Sequence, residues 1–375
     1  MRRPWALRTA IVLAVVEVSF LSKTHVSIHE HVYESSIFLQ GFVPEIIKHN
    51  KTKTTTGAND DDEIDGMAAC LLVRDDNSLL PEWIAHHYMI LPLRDLLIAA
   101  DFNSKEDVTW IYEQWSPLIR VTIWNHTHFI HRFGDIPSNE TANHQYLHRQ
   151  RAFITSCMEY FKRKNKTWVA LVDTDEYISL NRDYYVHYNN NDDSTRETHP
   201  TTVLQALERH SPTSPCHGMP RLLFGALENM TCNENEHVRE FLFKHNIPPL
   251  TTVRFVQHAQ KGVFYPSKWG KVLINVHDIS WESLLHTKPK SSHRPFKECR
   301  KPLFDWNTSL LHVNHYLGSW ERYSKRVDSR RSRKAFDERA SLVHGNNCNT
   351  LMTEWIPTFF QQVGLEQAKQ LLQQP

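Results

Sequence analysis

Hydrophobic and polar positions alternate along the chain in blocks that change period, and that change is the first structural signal. Met67 to Val73 is a short, unbroken apolar run that stops at Arg74-Asp75-Asp76-Asn77. Leu80 to Leu91 then places Trp83, Ile84, His87 and Ile90 at helical spacing behind Pro81, which suits a first helical turn. Asp95 to Ala100 predicts a second buried strand ending at Asp101, Glu106 to Trp115 a helix, and Leu118 to Trp124 a third strand. Thr141 to Lys164 carries Leu147, Phe153, Ile154, Cys157, Met158 and Phe161 on one helical face. The fourth strand, Trp168 to Val172, runs straight into Asp173, Asp175 and Glu176.

Continuous apolar runs read as strands covered on both faces. Strands separated by helices predict an α/β fold, a Rossmann-related, mostly parallel sheet flanked by helices. The first, second and fourth strands all end in acids, so their carboxyl ends form one acidic rim. Ligands of open α/β sheets collect outside such ends. The spacing of Asp173 and Asp175 lets a turn aim both carboxylates at one hard cation. The same acids also serve ordinary loop and helix caps.

In the second half, Tyr184 to Pro200 is an Asn/Asp-rich insertion and reads as a surface loop. Pro220 to Ala226 and Ser267 to Val276 predict strands, Leu310 onward another, and Gln361 to Gln373 a short closing helix. Arg322 to Arg339 holds eight basic residues against three acids. Over the acidic rim such a segment contacts phosphate; elsewhere it is a solvated face.

Composition narrows the class. The chain has 375 residues, 40% of them hydrophobic, with 43 basic and 42 acidic residues, so it can bury a core and gives no global signal for nucleic acid. Arg2, Arg3 and Arg8 precede a mostly apolar stretch, Thr9 to Leu21. Thirteen residues fall short of the roughly 20 that cross a bilayer. The absence of a small-residue cleavage site before Lys23 favours an uncleaved signal anchor over a signal peptide within residues 1–24. Residues 25–66 read as a polar stem, since the runs at Lys51 to Gly57 and Asn59 to Asp65 bury little. Sequons at Asn50, Asn125, Asn139, Asn165, Asn229 and Asn307 agree with export and glycosylation in a lumen. Cys70 and Cys157 lie on apolar faces and read as core thiols, while Cys216 with Cys232 and Cys299 with Cys348 are candidate pairs.

The motifs, taken together, resemble a known family. C-L-L-V-R-D-D-N from Cys70, P-E-W-I-A-H-H-Y from Pro81, D-L-L-I-A-A-D-F-N-S from Asp95, H-R-Q-R-A-F-I-T-S-C from His148 and W-V-A-L-V-D-T-D-E-Y from Trp168 are similar, in order and spacing, to glycosyltransferase family 92 and related family 2 proteins. Trp269-Gly270-Lys271 and the stretch Leu310 to Arg326 continue the likeness. Where relatives carry Lys-Asn-Glu after the first strand, this chain has Arg74-Asp75-Asp76.

The resemblance implies a single GT-A-like catalytic domain over residues 67–365 with a tail at 366–375. It also implies a nucleotide-diphosphate sugar donor, a glycan or glycoconjugate acceptor, and Mn2+ or Mg2+ held by Asp173 and Asp175. Arg74, Asp75 and Asp101 would then surround the nucleotide, Lys271 would join the donor site, and His315 would add to the metal site. Lys325 and Arg326, beside His315, are candidates for closing over the diphosphate. Glu228 and Glu176 are rival candidates for the base that deprotonates the acceptor hydroxyl in an inverting transfer. A Golgi or ER membrane protein of type II orientation follows from the same likeness and the basic start. Two other classes stay open: a haloacid-dehalogenase-type phosphohydrolase, against which Tyr177 and the three preceding strands count, and an inactive lumenal glycan-binding protein with the same fold.

Overall fold

The structure, a computed structural model, describes residues 66–134, 140–189, 200–226, 236–264, 270–300, 305–325, 332–343, 348–349 and 351–374. The anchor and stem expected over residues 1–65 lie outside them, as do Glu228, Arg326 and three of the sequons. Among the described residues no helix is long and apolar enough to cross a membrane. The described part falls within one compact unit, Glu63–Pro375.

Among the described residues nine strands form two sheets: β1 (Met67–Val73), β2 (Leu93–Ala100), β3 (Arg120–Trp124), β4 (Trp168–Ala170), β5 (Glu176–Leu180), β6 (Cys216–Met219), β7 (Arg221–Phe224), β8 (Lys271–Asn275) and β9 (Leu311–Tyr316). The larger sheet has the order β3-β2-β1-β4-β8-β6. Its first four strands are parallel, as their apolar runs separated by helices predict, and β8 runs antiparallel to both neighbours. The sheet is therefore mixed. Strand order reverses between β1 and β4, which opens a crevice at their carboxyl ends.

Period-2 alternation divides the core. Ala69, Leu71 and Val73 of β1 face one layer with helices Leu80–Ile90, Trp110–Trp115 and Trp355–Val363. Ala68 and Cys70 face the other, where helix Ala142–Arg163 packs with Val272, Ile274 and Phe296. Thr141 starts that long helix by accepting from the His144 N–H at 3.3 Å.

Several expectations are corrected. Pairing of β4 ends at Ala170, because β1 meets it only at Ala68 and Ala69; Leu171 and Val172 are buried beyond the ladder. Cys70 and Cys157 form a disulfide joining β1 to the long helix, and Cys216 pairs with Cys299 rather than Cys232. Cys348 is also disulfide-bonded. The tail expected at 366–375 is largely helix Leu365–Leu372, whose Ala368, Leu371 and Leu372 are buried in the core. Gly364, at φ +84°, breaks the expected closing helix into two.

The smaller sheet, β5-β9-β7, positions the site. Strand β5 runs antiparallel to β9 with Glu176 opposite His315, and β7 runs parallel to β9 with Leu223 opposite His315. Glu176 and His315, 139 positions apart in sequence, thus meet just past the acidic turn.

Candidate functional site

The turn Asp173–Glu176 is held from every side. The Glu176 N–H donates to the Asp173 carbonyl at 3.0 Å, and the Asp173 N–H donates back to Glu176 Oε2 at 3.0 Å. The Trp83 indole N–H, fully buried, lies 3.1 Å from the Asp173 carbonyl and 3.0 Å from that of Glu176. Thr174 Oγ1 donates to Asp76 Oδ2 at 2.9 Å, tying the turn after β4 to the turn after β1.

Beneath the turn lies a buried charge network. Lys271, first residue of β8, places Nζ 2.9 Å from Asp173 Oδ2 and 2.8 Å from Glu176 Oε2. Arg221, first residue of β7, places Nη1 3.1 Å from Glu176 Oε1. Burial pushes the Glu176 carboxyl up, but the Lys271 and Arg221 charges outweigh it and hold it below its ordinary value. Burial likewise pushes Lys271 down, and the Asp173 and Glu176 carboxylates outweigh that, raising it. Both groups stay ionised at neutral pH.

Above the network the acids differ. The Asp173 side chain is 46% exposed and lines a cleft with Leu72, Gln150, Val172, Lys271 and Ser292, at the reversal of strand order. Asp175 is buried, with Oδ2 3.8 Å from His315 Nε2. Burial pushes His315 below its ordinary value, so it is a neutral imidazole with a lone pair to offer.

Carboxylate oxygens with one imidazole nitrogen are the donor set that Mn2+ accepts. Among the described residues no three His, Cys, Asp or Glu side chains make a ready cage. Asp173, Asp175 and His315 are the residues that could hold part of a coordination shell.

The other sequence candidates are placed as follows. Asp101 is fully buried, its two oxygens 2.8 and 3.0 Å from Nε and Nη2 of Arg149, so its carboxylate anchors the long helix to the end of β2. Asp75, at φ +52°, accepts from the Lys105 N–H at 2.7 Å and from Ser104 Oγ at 3.2 Å, joining the turns after β1 and β2. Arg74 lies over the Tyr146 ring, 5.8 Å from its centre. Lys325 is exposed at the end of helix Trp320–Lys325. Asp173, Asp175, Glu176, Lys271 and His315 are therefore brought together, and Asp101 and Lys325 are not in contact with them.

Arg221 and Asp76 were not singled out by sequence. Asp76 follows the run that marked β1 and Arg221 lies inside the run that marked β7, and only three-dimensional pairing assigns them partners. No family model matches the chain, and no curated protein matches it.

Proposed function

We propose that the chain is a metal-dependent glycosyltransferase of GT-A type, moving a sugar from a nucleotide-diphosphate sugar to a glycan or glycoconjugate hydroxyl with inversion. The observation that carries this reading is the outward Asp173 carboxylate at the strand-order reversal, with Asp175 and His315 beside it and Lys271 below. A sheet whose parallel strands deliver acids to that crevice suits an anionic ligand bridged by a cation. The motif resemblance supports the choice of ligand.

Asp173, Asp175 and His315 would hold Mn2+ or Mg2+, which when bound supplies Lewis-acid neutralisation of the leaving diphosphate. Asp175 presents its carboxylate from a buried position, and His315 is kept neutral to present nitrogen. Lys271 and Glu176 fix the direction of Asp173. Glu176 is fully buried with both oxygens engaged, so it acts as a positioning group rather than as the base. The base then falls to Glu228, outside the described residues. The three disulfide-bonded segments fit an oxidising compartment, in keeping with a Golgi or ER lumen.

The direct test is slow donor hydrolysis. Purified protein incubated with a panel of nucleotide sugars and manganese releases nucleoside diphosphate from one of them, and Asp175→Asn abolishes that release while keeping the wild-type unfolding temperature. Release that is absent from every donor, or unchanged in the variant, contradicts the reading.

A further inference from the structure

Beside the acidic turn lies a second set of polar groups with no role in the transfer chemistry above. Gln150 of the long helix and Ser292 of the loop 287–296 line the same cleft as Asp173 and Lys271. Near it three buried nitrogens have no hydrogen-bond partner: His148 Nδ1, Arg151 Nε and His293 Nδ1. Lys288 joins them, with Nζ 6.0 Å from the centre of the Phe133 ring, whose edge-to-face neighbour at 6.4 Å is His148.

Residues 287–298 carry Lys288, Lys290, Arg294 and Lys297 against Glu298 alone. The loop is fixed in place: the His293 N–H donates to Ser291 Oγ at 3.1 Å, Ser283 Oγ donates to Glu298 Oε1 at 3.0 Å, and Cys299 is bonded to Cys216. Phe296 is fully buried beneath it.

A buried polar nitrogen without a partner forfeits its hydration, and three in one neighbourhood call for a common partner. The surrounding charge names the sign of that partner. The Lys271 ammonium, then burial, press His293 well below its ordinary value; burial, then Lys288 and Arg151, lower His148. A positive field that repels a proton attracts an oxyanion, and a neutral imidazole still donates one N–H.

We propose that the long helix and the loop 287–296 form an oxyanion pocket that receives the diphosphate of the donor, contacted by Arg151, Lys288 and His293. This rests on the nucleotide-sugar reading and assigns the phosphates to the quoted stretch from His148, to which the sequence gives no role, and to the loop 287–296, which lies outside the quoted motifs. The cation at Asp175 and this pocket then flank the phosphates from two sides, with Gln150 and Ser292 in the cleft that Asp173 lines.

The test is calorimetric titration of the full chain with inorganic pyrophosphate, and separately with nucleoside diphosphates, with and without manganese. Wild type binds pyrophosphate. His293→Ala and Arg151→Ala weaken it by about tenfold, the factor carried by a hydrogen bond to a charged group. His293→Gln, which keeps an N–H, stays within roughly threefold of wild type, and Arg333→Ala, a control on an exposed helix, binds as wild type. Unfolding temperatures separate lost contact from lost fold. Equal affinity across wild type, His293→Ala and Arg151→Ala overturns the pocket, as does a wild type that binds no pyrophosphate. Pyrophosphate binding that depends on these residues while no nucleoside diphosphate binds sinks the nucleotide-sugar reading and leaves the pocket standing.

Discussion

Glu176 has no oxygen left for a substrate: Oε1 meets Arg221, and Oε2 takes both the Lys271 ammonium and the Asp173 N–H. Removing it by Glu176→Ala takes the buried carboxylate from between the Lys271 and Arg221 cations, and breaking a buried pair in this way costs about 3–5 kcal/mol. Urea unfolding should show that loss. A folded variant of wild-type stability that is deficient only in turnover would return Glu176 to the role of base. His315→Ala, by contrast, weakens donor binding at fixed manganese without a comparable loss of stability. Arg333→Ala changes neither beyond about 1 kcal/mol, because its ion pair with Asp337 at 2.9 Å is exposed. Protonation acts at this scale too. Burial pushes His86 down to about 4 and His312 to about 3. A histidine with a depressed folded value takes up its proton more readily once unfolded, so its contribution is complete above about pH 6.5 and is lost as pH falls toward 4. His86 alone accounts for on the order of 3 kcal/mol in that window. Glu176, also depressed, adds a loss that sets in below the ordinary carboxylate range. Urea midpoints should therefore fall steadily from pH 7 to pH 4.5; a flat profile would contradict the neutral burial of these imidazoles.

At the scale of elements, the disulfide from β1 to the long helix clamps the cleft wall, since Cys70 and Phe153 both line the cleft containing Asp173. It closes a loop with a sequence separation of 87, so replacing both cysteines with Ala should cost about 2–4 kcal/mol of stability, measured by thermal or urea unfolding against wild type. No change in midpoint would show that the bridge contributes nothing. This pairing was not legible in the sequence, because a buried thiol and a buried half-cystine sit on the same apolar faces. Strands β1, β2 and β3 were legible because an unbroken apolar run has few other fates between helical segments. Pairing of β5 with β9 was hidden for the opposite reason: it joins residues about 140 positions apart, and nothing local to Tyr177 or Asn314 records the partner. His315 entered only through the motif resemblance. The basic loop 287–298 carried a local signal in its three lysines and Arg294, but its place beside Asp173 depends on the antiparallel return of β8.

For the whole molecule, two sheets converge on one turn. Exposed Asn125, Asn165 and Asn307 lie in turns at the ends of β3, the long helix and the approach to β9, where glycans can be carried without unfolding. Protein secreted through a eukaryotic lumen should therefore gain mobility after deglycosylation, and unchanged mobility would count against the lumenal placement. The central claim is a cation-bridged nucleotide sugar at Asp173, Asp175 and His315. Its most direct test is a thermal-shift panel of nucleotide sugars with and without manganese, run on wild type and on Asp175→Asn. At a concentration near 100 times its dissociation constant a bound donor stabilises by about 2.7 kcal/mol. The account predicts that one donor raises the unfolding temperature of wild type only when manganese is present, and that Asp175→Asn keeps its own unfolding temperature but loses the shift. No shift with any donor, or the same shift in the variant, would contradict it.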